Sequence, residues 1–102
     1  MVLQTNAEAA TVVSQEGDVV GSFPDASYGA MELRVRAGDR FFMFSDGLIE
    51  TGGNREEGIA RVSAACKAHR RASMADLVRH VVHDVTQGVT VADDALLMGV
   101  EV

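Results

Sequence analysis

With 102 residues, 47% of them hydrophobic and 24% charged, the chain has the balance of one globular domain, which excludes a disordered or fibrous protein. The formal net charge of -6 opposes binding to nucleic acid or to an anionic membrane surface, and no apolar run approaches the roughly 18 residues of a membrane span. The single Cys66 excludes an internal disulfide. We therefore expect a cytoplasmic protein of one domain, residues 1–102, with no nucleic acid or membrane partner.

The first part of the chain carries signals for short strands. Residues 9–22 show two β-branched runs around Glu16-Gly17, which predicts a hairpin. Residues 31–36, MELRVR, alternate apolar and charged side chains, the period of a strand with one solvent-facing side. The next run, FFMFS at 41–45, is apolar on both faces, so we expect this strand to be covered on both sides.

Two helices and a last strand are predicted next. The first helix runs from about Glu56 to His69, and Cys66 in its apolar stripe is better explained as a buried hydrophobe than as a nucleophile. The second helix has Ser73 as its N-cap, apolar residues at helical spacing, and Gly88 as its stop. The final ALLMGVEV is typical of an interior strand.

The order of these elements is four strands, two helices and one strand, with no β-α-β alternation. This order predicts an α+β fold in which an antiparallel β-sheet carries two antiparallel helices on one face.

Acidic residues stand at the ends of two apolar strands. Asp46 directly follows FFMFS, and Asp93-Asp94 directly precede ALLMGV. Antiparallel neighbours bring the end of one strand beside the start of the other, and carboxylates gathered there would suit Mg²⁺ or Mn²⁺. Gly47 would let the chain turn away sharply, and only one of Asp93 and Asp94 can face the same metal. The alternative is an ordinary Asp-Gly turn and a solvated Asp-Asp loop.

Histidine gives a second place to look for a metal. His80 and His83 are three apart on the second helix, which can put two imidazoles on one face, and His69 ends the first helix. No third ligand is evident, so the sequence favours a solvated helix face over a zinc site.

Two linked motifs resemble a known family. GDRFFMFSDGLIET and the later ADDALLMGVEV look like the C-terminal half of the PPM-type metal-dependent serine/threonine phosphatases, in particular their SpoIIE-like and RsbU-like branch. GSFPDASY at 21–28 resembles the loop before the family's Gly-Asp turn, and TNAEAATVV at 5–13 is similar to the segment that the family usually writes as Asn-Ala-Gly-His-Pro.

The resemblance implies two antiparallel sheets packed face to face with helix pairs outside, and a dinuclear Mn²⁺ or Mg²⁺ centre that hydrolyses phosphoserine or phosphothreonine. Asp46 matches the metal-binding Asp of the family's Asp-Gly, and Gly47 carries the turn. Asp93 matches the metal-binding first acid of the second motif, with Asp94 as a supporting residue that hydrogen-bonds nearby backbone. Implied substrates and partners are phosphorylated bacterial signalling proteins, such as those of anti-sigma factor pathways.

The sequence also departs from the family. The N-terminal half, whose Asp-Gly bridges the two metals, has no match here. Asp18 and Asp39, in predicted hairpin turns, and Asp25, in a loop, do not substitute for it. Glu8-Ala9 also stand where the family has Gly-His. A truncated domain of this kind should bind metal poorly and be inactive alone.

Two main hypotheses follow from the matches and the departures. The chain is either the C-terminal portion of a phosphatase or a degenerate, non-catalytic module that binds proteins; an unrelated α+β domain is a third possibility. Half a sandwich would expose an apolar sheet face, so we predict a homodimer or pairing with the missing half-domain.

Overall fold

The computed structural model describes residues 2–5, 9–91 and 93–102, and in this part of the chain a β-hairpin and a third strand precede three helices and a last strand. The elements are β1 Val2–Thr5, β2 Ala10–Val13, β3 Arg40–Phe44, α1 Asp46–Ile49, α2 Arg55–Ala68, α3 Met74–Thr86 and β4 Leu97–Glu101. None of the helices described is long and apolar enough to cross a membrane.

The four described strands form one antiparallel sheet in the order β2-β1-β3-β4. With α2 and α3 packed against it, the sheet confirms the predicted α+β class. The hairpin predicted within 9–22 is wrong in its second half, because β2 pairs with the upstream strand β1. Gly17 forms an isolated bridge with Tyr28 instead, and Gly21 adopts a φ of 80°, which is unsuited to a strand.

The strand predicted at residues 31–36 is absent from the described structure. Both sides of β3 are already occupied, by β1 and by β4, so the preceding segment has no position beside it. Asp39 ends the segment in a turn, because its Oδ2 accepts a hydrogen bond from Arg36 N at 2.9 Å and its own N–H donates to Arg36 O at 3.0 Å. The alternating pattern is typical of a strand, but the segment pairs with no strand in the described part of the chain.

Both long helices form where the sequence predicts them, and a side chain caps the start of each. The Asn54 side chain accepts from Glu57 N at 2.9 Å and begins α2, one residue before the predicted start. Ser73 Oγ accepts from Asp76 N at 3.3 Å and begins α3, as predicted. Gly88, with a φ of 72°, lies just beyond the end of α3 and confirms the predicted stop.

The hydrophobic core lies between one face of the sheet and the helices. Its buried members come from β3, α1, α2 and α3 and are Phe42, Leu48, Ile49, Val62, Ala65, Cys66, Leu77, Val81 and Val85. Burial raises the pKa of the Cys66 thiol to about 12, so it stays protonated at neutral pH and packs as a small hydrophobe, as predicted.

The opposite face of the sheet carries apolar side chains but no covering layer within the described structure. Phe41 lies opposite Val100, and Met43 lies opposite Met98; we call these four residues the open sheet face. Met43 is 38% exposed, while its neighbour Phe42 is fully buried. Our expectation that FFMFS is covered on both sides is therefore wrong for the chain by itself, because only one of its two faces meets the helices.

Candidate metal centre

The end of β3 is hydrogen-bonded to the segment that leads into β4. Ser45 N donates to Leu96 O at 3.0 Å, and Ser45 Oγ accepts from Leu96 N at 2.9 Å. The same hydroxyl donates to Asp94 O at 3.1 Å. Ser45 was not among our predicted site residues, although a polar residue closing an apolar strand is a signal that could have identified it. These bonds bring the Asp46 region beside the Asp93 region, the juxtaposition expected from antiparallel pairing.

Gly47 lies close to the backbone of Asp93 and Asp94. A Cβ atom at this position would overlap the Asp94 carbonyl oxygen and lie 3.3 Å from the carbonyl carbon of Asp93. The carbonyl oxygen of Gly47 accepts a hydrogen bond from the hydroxyl of the buried Thr51. The backbone carbonyl of Thr51 in turn accepts a hydrogen bond from the Arg61 guanidinium. Gly47 lies in α1 and has no positive φ, so close backbone approach, rather than a sharp turn, is what requires glycine here.

The Asp46 carboxylate is exposed and already has a cationic partner. Arg55 Nη1 lies 2.6 Å from Asp46 Oδ1 and 3.9 Å from Glu50 Oε1. Sequence reasoning missed Arg55, because nothing local shows that the loop of residues 51–54 returns the first residue of α2 to the start of α1.

The second acidic motif has a different internal geometry from the one predicted. Asp93 Oδ1 accepts a hydrogen bond from Asp94 N at 2.8 Å. The Asp94 carboxylate makes no hydrogen bond within the described part of the chain, whereas its backbone carbonyl accepts from Ser45. The Asp93 carboxylate thus binds the neighbouring backbone N–H, and Asp94 contributes backbone contacts.

A family model described as Stage II sporulation protein E (SpoIIE) matches residues 1–102. The chain belongs to the SpoIIE family. This confirms the resemblance drawn from the Ser-Asp-Gly and Asp-Asp motifs and places the chain among phosphatase-like domains. Searches of curated proteins and of solved structures each gave no significant match.

The described residues do not by themselves fit the dinuclear centre that the SpoIIE resemblance implies. Asp46 and Asp93 supply hard oxygen donors, but no group of three or more His, Cys, Asp or Glu side chains that could hold a metal occurs in the ranges described. Asp18 Oδ2 accepts from Ser27 N, and Asp39 Oδ2 accepts from Arg36 N, so these carboxylates stabilise turns instead. A two-metal centre would therefore need ligands from outside these residues.

The departure predicted at Glu8-Ala9 falls partly on residues 6–8, which lie outside the described residues. What replaces the family's Gly-His in space therefore stays a prediction from sequence.

The histidines of this SpoIIE-family chain lie where the end of α2 meets α3. The rings of His69 and His80 stack with centroids 4.7 Å apart and an interplanar angle of 15°. His69 Nε2 lies 2.7 Å from Asp84 Oδ2, and His83 Nδ1 lies 3.5 Å from Asp84 Oδ1. The structure therefore brings His69 against His80, across two helices, rather than pairing His80 with His83. Asp84 is the hydrogen-bond acceptor shared by His69 and His83.

The hydrogen bond between His69 and Asp84 should make the stability of the fold depend on pH in the acidic range. The hydrogen bond from His69 lowers the pKa of Asp84, with a smaller contribution from His83. A carboxyl whose pKa is lower in the folded state stabilises that state above its unfolded pKa, and the stabilisation is lost as pH falls through the folded pKa. We expect Asp84→Asn to lower the free energy of unfolding at neutral pH. Below about pH 4 the stability of this variant should fall less steeply with pH than that of the parent.

Urea unfolding across a pH series checks this expectation, with Asp25→Asn, a change in an exposed turn, as the matched control. The expectation is wrong if Asp84→Asn and the parent lose stability in parallel as the pH falls.

Proposed function

We propose that the chain is the C-terminal portion of a SpoIIE-like protein serine/threonine phosphatase. In this proposal Asp46 and Asp93 are its share of a Mn²⁺ or Mg²⁺ centre whose remaining ligands lie outside the described residues. The observation that supports it is the close approach of Gly47 to the Asp94 backbone, which leaves the two acidic motifs side by side at one rim of the sheet. The complete domain would hydrolyse phosphoserine or phosphothreonine on bacterial signalling proteins, including those of anti-sigma factor pathways.

The roles of the chain's own residues follow from their contacts. Asp46 presents an exposed carboxylate at the start of α1, and Ser45 fixes the backbone on both sides of the rim. Arg55 neutralises Asp46 and competes with any cation for the same oxygen. When bound, the metal pair would supply charge neutralisation and an activated water, and these residues would hold and orient their part of it.

The open sheet face, defined above, supports the partner part of the proposal. Its apolar side chains are those of a sandwich interior, so a second sheet from the other half of the domain would cover them. This pairing would bring further ligands to the rim where the two acidic motifs meet.

A degenerate, non-catalytic module for protein binding is the second candidate. The Arg55–Asp46 ion pair favours it, because the guanidinium satisfies the carboxylate without a metal. The hydrogen bond within Asp93-Asp94 does the same for the second acid.

Mn²⁺ titration followed by electron paramagnetic resonance separates the two candidates. If the chain is part of a phosphatase, it should bind Mn²⁺ weakly, and Asp46→Asn and Asp93→Asn should each lower the affinity by about tenfold or more. Arg55→Gln should raise the affinity severalfold, because it removes the cation 2.6 Å from Asp46 Oδ1. Asp25→Asn serves as the control for loss of one surface charge.

Two results would count against the phosphatase proposal. Equal Mn²⁺ affinity in the parent and in both Asn variants would place the metal elsewhere, and no binding even in Arg55→Gln would favour the non-catalytic module. We expect no phosphopeptide hydrolysis by this chain alone. Mn²⁺-dependent turnover that Asp46→Ala abolishes would show that the chain needs no outside ligands.

A further inference from the structure

The segment of residues 31–36, called here the MELRVR segment, presents the features of a strand without a strand partner. Met31, Leu33 and Val35 are 44% to 51% exposed although they are large and apolar. Residues 30–35 make no backbone hydrogen bond in the described structure, so their N–H and C=O groups are available to another chain.

Both ends of the segment are fixed. Upstream, Gly29 N donates to Glu16 O at 3.2 Å, next to the bridge between Gly17 and Tyr28. Downstream, Gly38 N donates to Val102 O at 2.9 Å, which ties the turn after the segment to the end of β4. The segment is thus held at two points on the molecule, which lowers the conformational entropy lost when a partner binds.

We propose that the MELRVR segment pairs antiparallel with the same segment of a second copy of this chain. Centring the pairing on Leu33 places Leu33 opposite Leu33 and Met31 opposite Val35, all on one face. On the other face, Glu32 lies opposite Arg34 of the second copy, twice by symmetry. The segment is therefore complementary to itself in both hydrophobicity and charge.

Neighbouring registers lack this complementarity. A shift of one residue places apolar residues opposite charged ones and mixes the two faces. A shift of two residues in one direction places Glu32 opposite Glu32. In the other direction Glu32 lies opposite Arg36, but Arg34 lies opposite Arg34, and directly opposed like charges destabilise a strand pair. The register centred on Leu33 is favoured, because among these registers it alone pairs apolar with apolar residues and avoids directly opposed like charges. Its two-fold symmetry makes a dimer the expected assembly.

Charge exchange tests the register, with sedimentation velocity as the measurement. The parent should dimerise reversibly with a dissociation constant between about 10 µM and about 1 mM, as expected for a small interface. Glu32→Arg and Arg34→Glu should each weaken the dimer by about tenfold, because each creates two like-charge contacts. The double variant Glu32→Arg/Arg34→Glu should restore it, and Asp25→Arg, a charge reversal outside the segment, should leave it unchanged.

Cross-linking provides a second measurement that does not depend on affinity. The pairing puts residue 33 opposite itself, so Leu33→Cys should form a disulfide dimer when oxidised glutathione accepts the two thiols' electrons. Cys66 is buried and protonated and should not react. Val20→Cys, at a position that is 85% exposed but outside the segment, is the control and should stay monomeric.

Several results would overturn the proposal. These are a parent chain that is monomeric up to about 1 mM, a double charge exchange that fails to restore the dimer, and a Val20→Cys variant that cross-links as readily as Leu33→Cys.

Discussion

Gly58→Ala should lower the free energy of unfolding by at least about 2 kcal/mol, although alanine is the better helix former by about 1 kcal/mol. Gly58 lies in the first turns of α2, where a Cβ atom would overlap the carbonyl group of Ile49 and lie 2.7 Å from its Cα. Ile49 is buried in the core at the end of α1, so its backbone cannot move aside. Overpacking therefore outweighs the gain in helix propensity.

Urea unfolding followed by circular dichroism measures this cost, and Gly53→Ala is the control. A Cβ at Gly53 would meet only the ends of two flexible side chains, Glu57 Oε2 at 2.7 Å and Arg61 Nη1 at 3.5 Å, so we expect a change within about 0.5 kcal/mol. A Gly58→Ala variant as stable as the parent would show that α2 does not contact α1 closely.

Gly58 also shows which features of the fold can be predicted from the sequence. By pattern alone, a glycine in the first turns of a helix indicates only a lower helix propensity, whereas in the structure Gly58 permits close contact with the backbone of Ile49. By contrast, Ser73 and Gly88 were assigned correctly, because a helix cap depends on residues within one turn. Local signals predicted both long helices, and they did not predict which backbones approach each other.

The strands show the same division more strongly. β1 was not predicted and residues 31–36 were, because a strand is defined by its hydrogen-bonded neighbour as well as by its own pattern. The alternating MELRVR has the right composition, but β1 and β4 occupy both sides of β3. The pairing of β2 likewise depends on β1, which lies outside the range of residues 9–22 in which the hairpin was predicted.

The candidate site divides in a similar way. The juxtaposition of Asp46 with Asp93 followed from antiparallel strand order and the ends of two apolar runs. Ser45 and Arg55 were missed, since their roles come from hydrogen bonds to residues distant in sequence. Ser45 bonds to Leu96, 51 residues away, and Arg55 bonds to Asp46, nine residues away. The roles of Asp46 and Asp93 in binding metal remain predictions that the Mn²⁺ titration tests.

Phe42→Ala should lower the free energy of unfolding by about 3–5 kcal/mol, the largest effect that we expect from truncating a side chain in this sheet. Phe42 is fully buried and lies opposite Gly99, where its ring leaves little room: a Cβ on Gly99 would be 3.2 Å from Phe42 Cε1 and 3.3 Å from Val78 Cγ2. Removing the ring would leave a cavity between the sheet and α3. Urea unfolding measures the loss, and Phe42→Leu gives a smaller cost of the same sign if the alanine variant does not fold.

Met43→Ala is the matched control, because adjacent residues of a strand point to opposite faces of the sheet. Met43 belongs to the open sheet face, so its truncation in the isolated chain should cost less than about 1 kcal/mol. Similar costs for Phe42→Ala and Met43→Ala at low protein concentration would contradict the one-sided core. A cost for Met43→Ala that grows with protein concentration would instead show that association covers the open sheet face, because the truncation then also removes contacts with the covering chain.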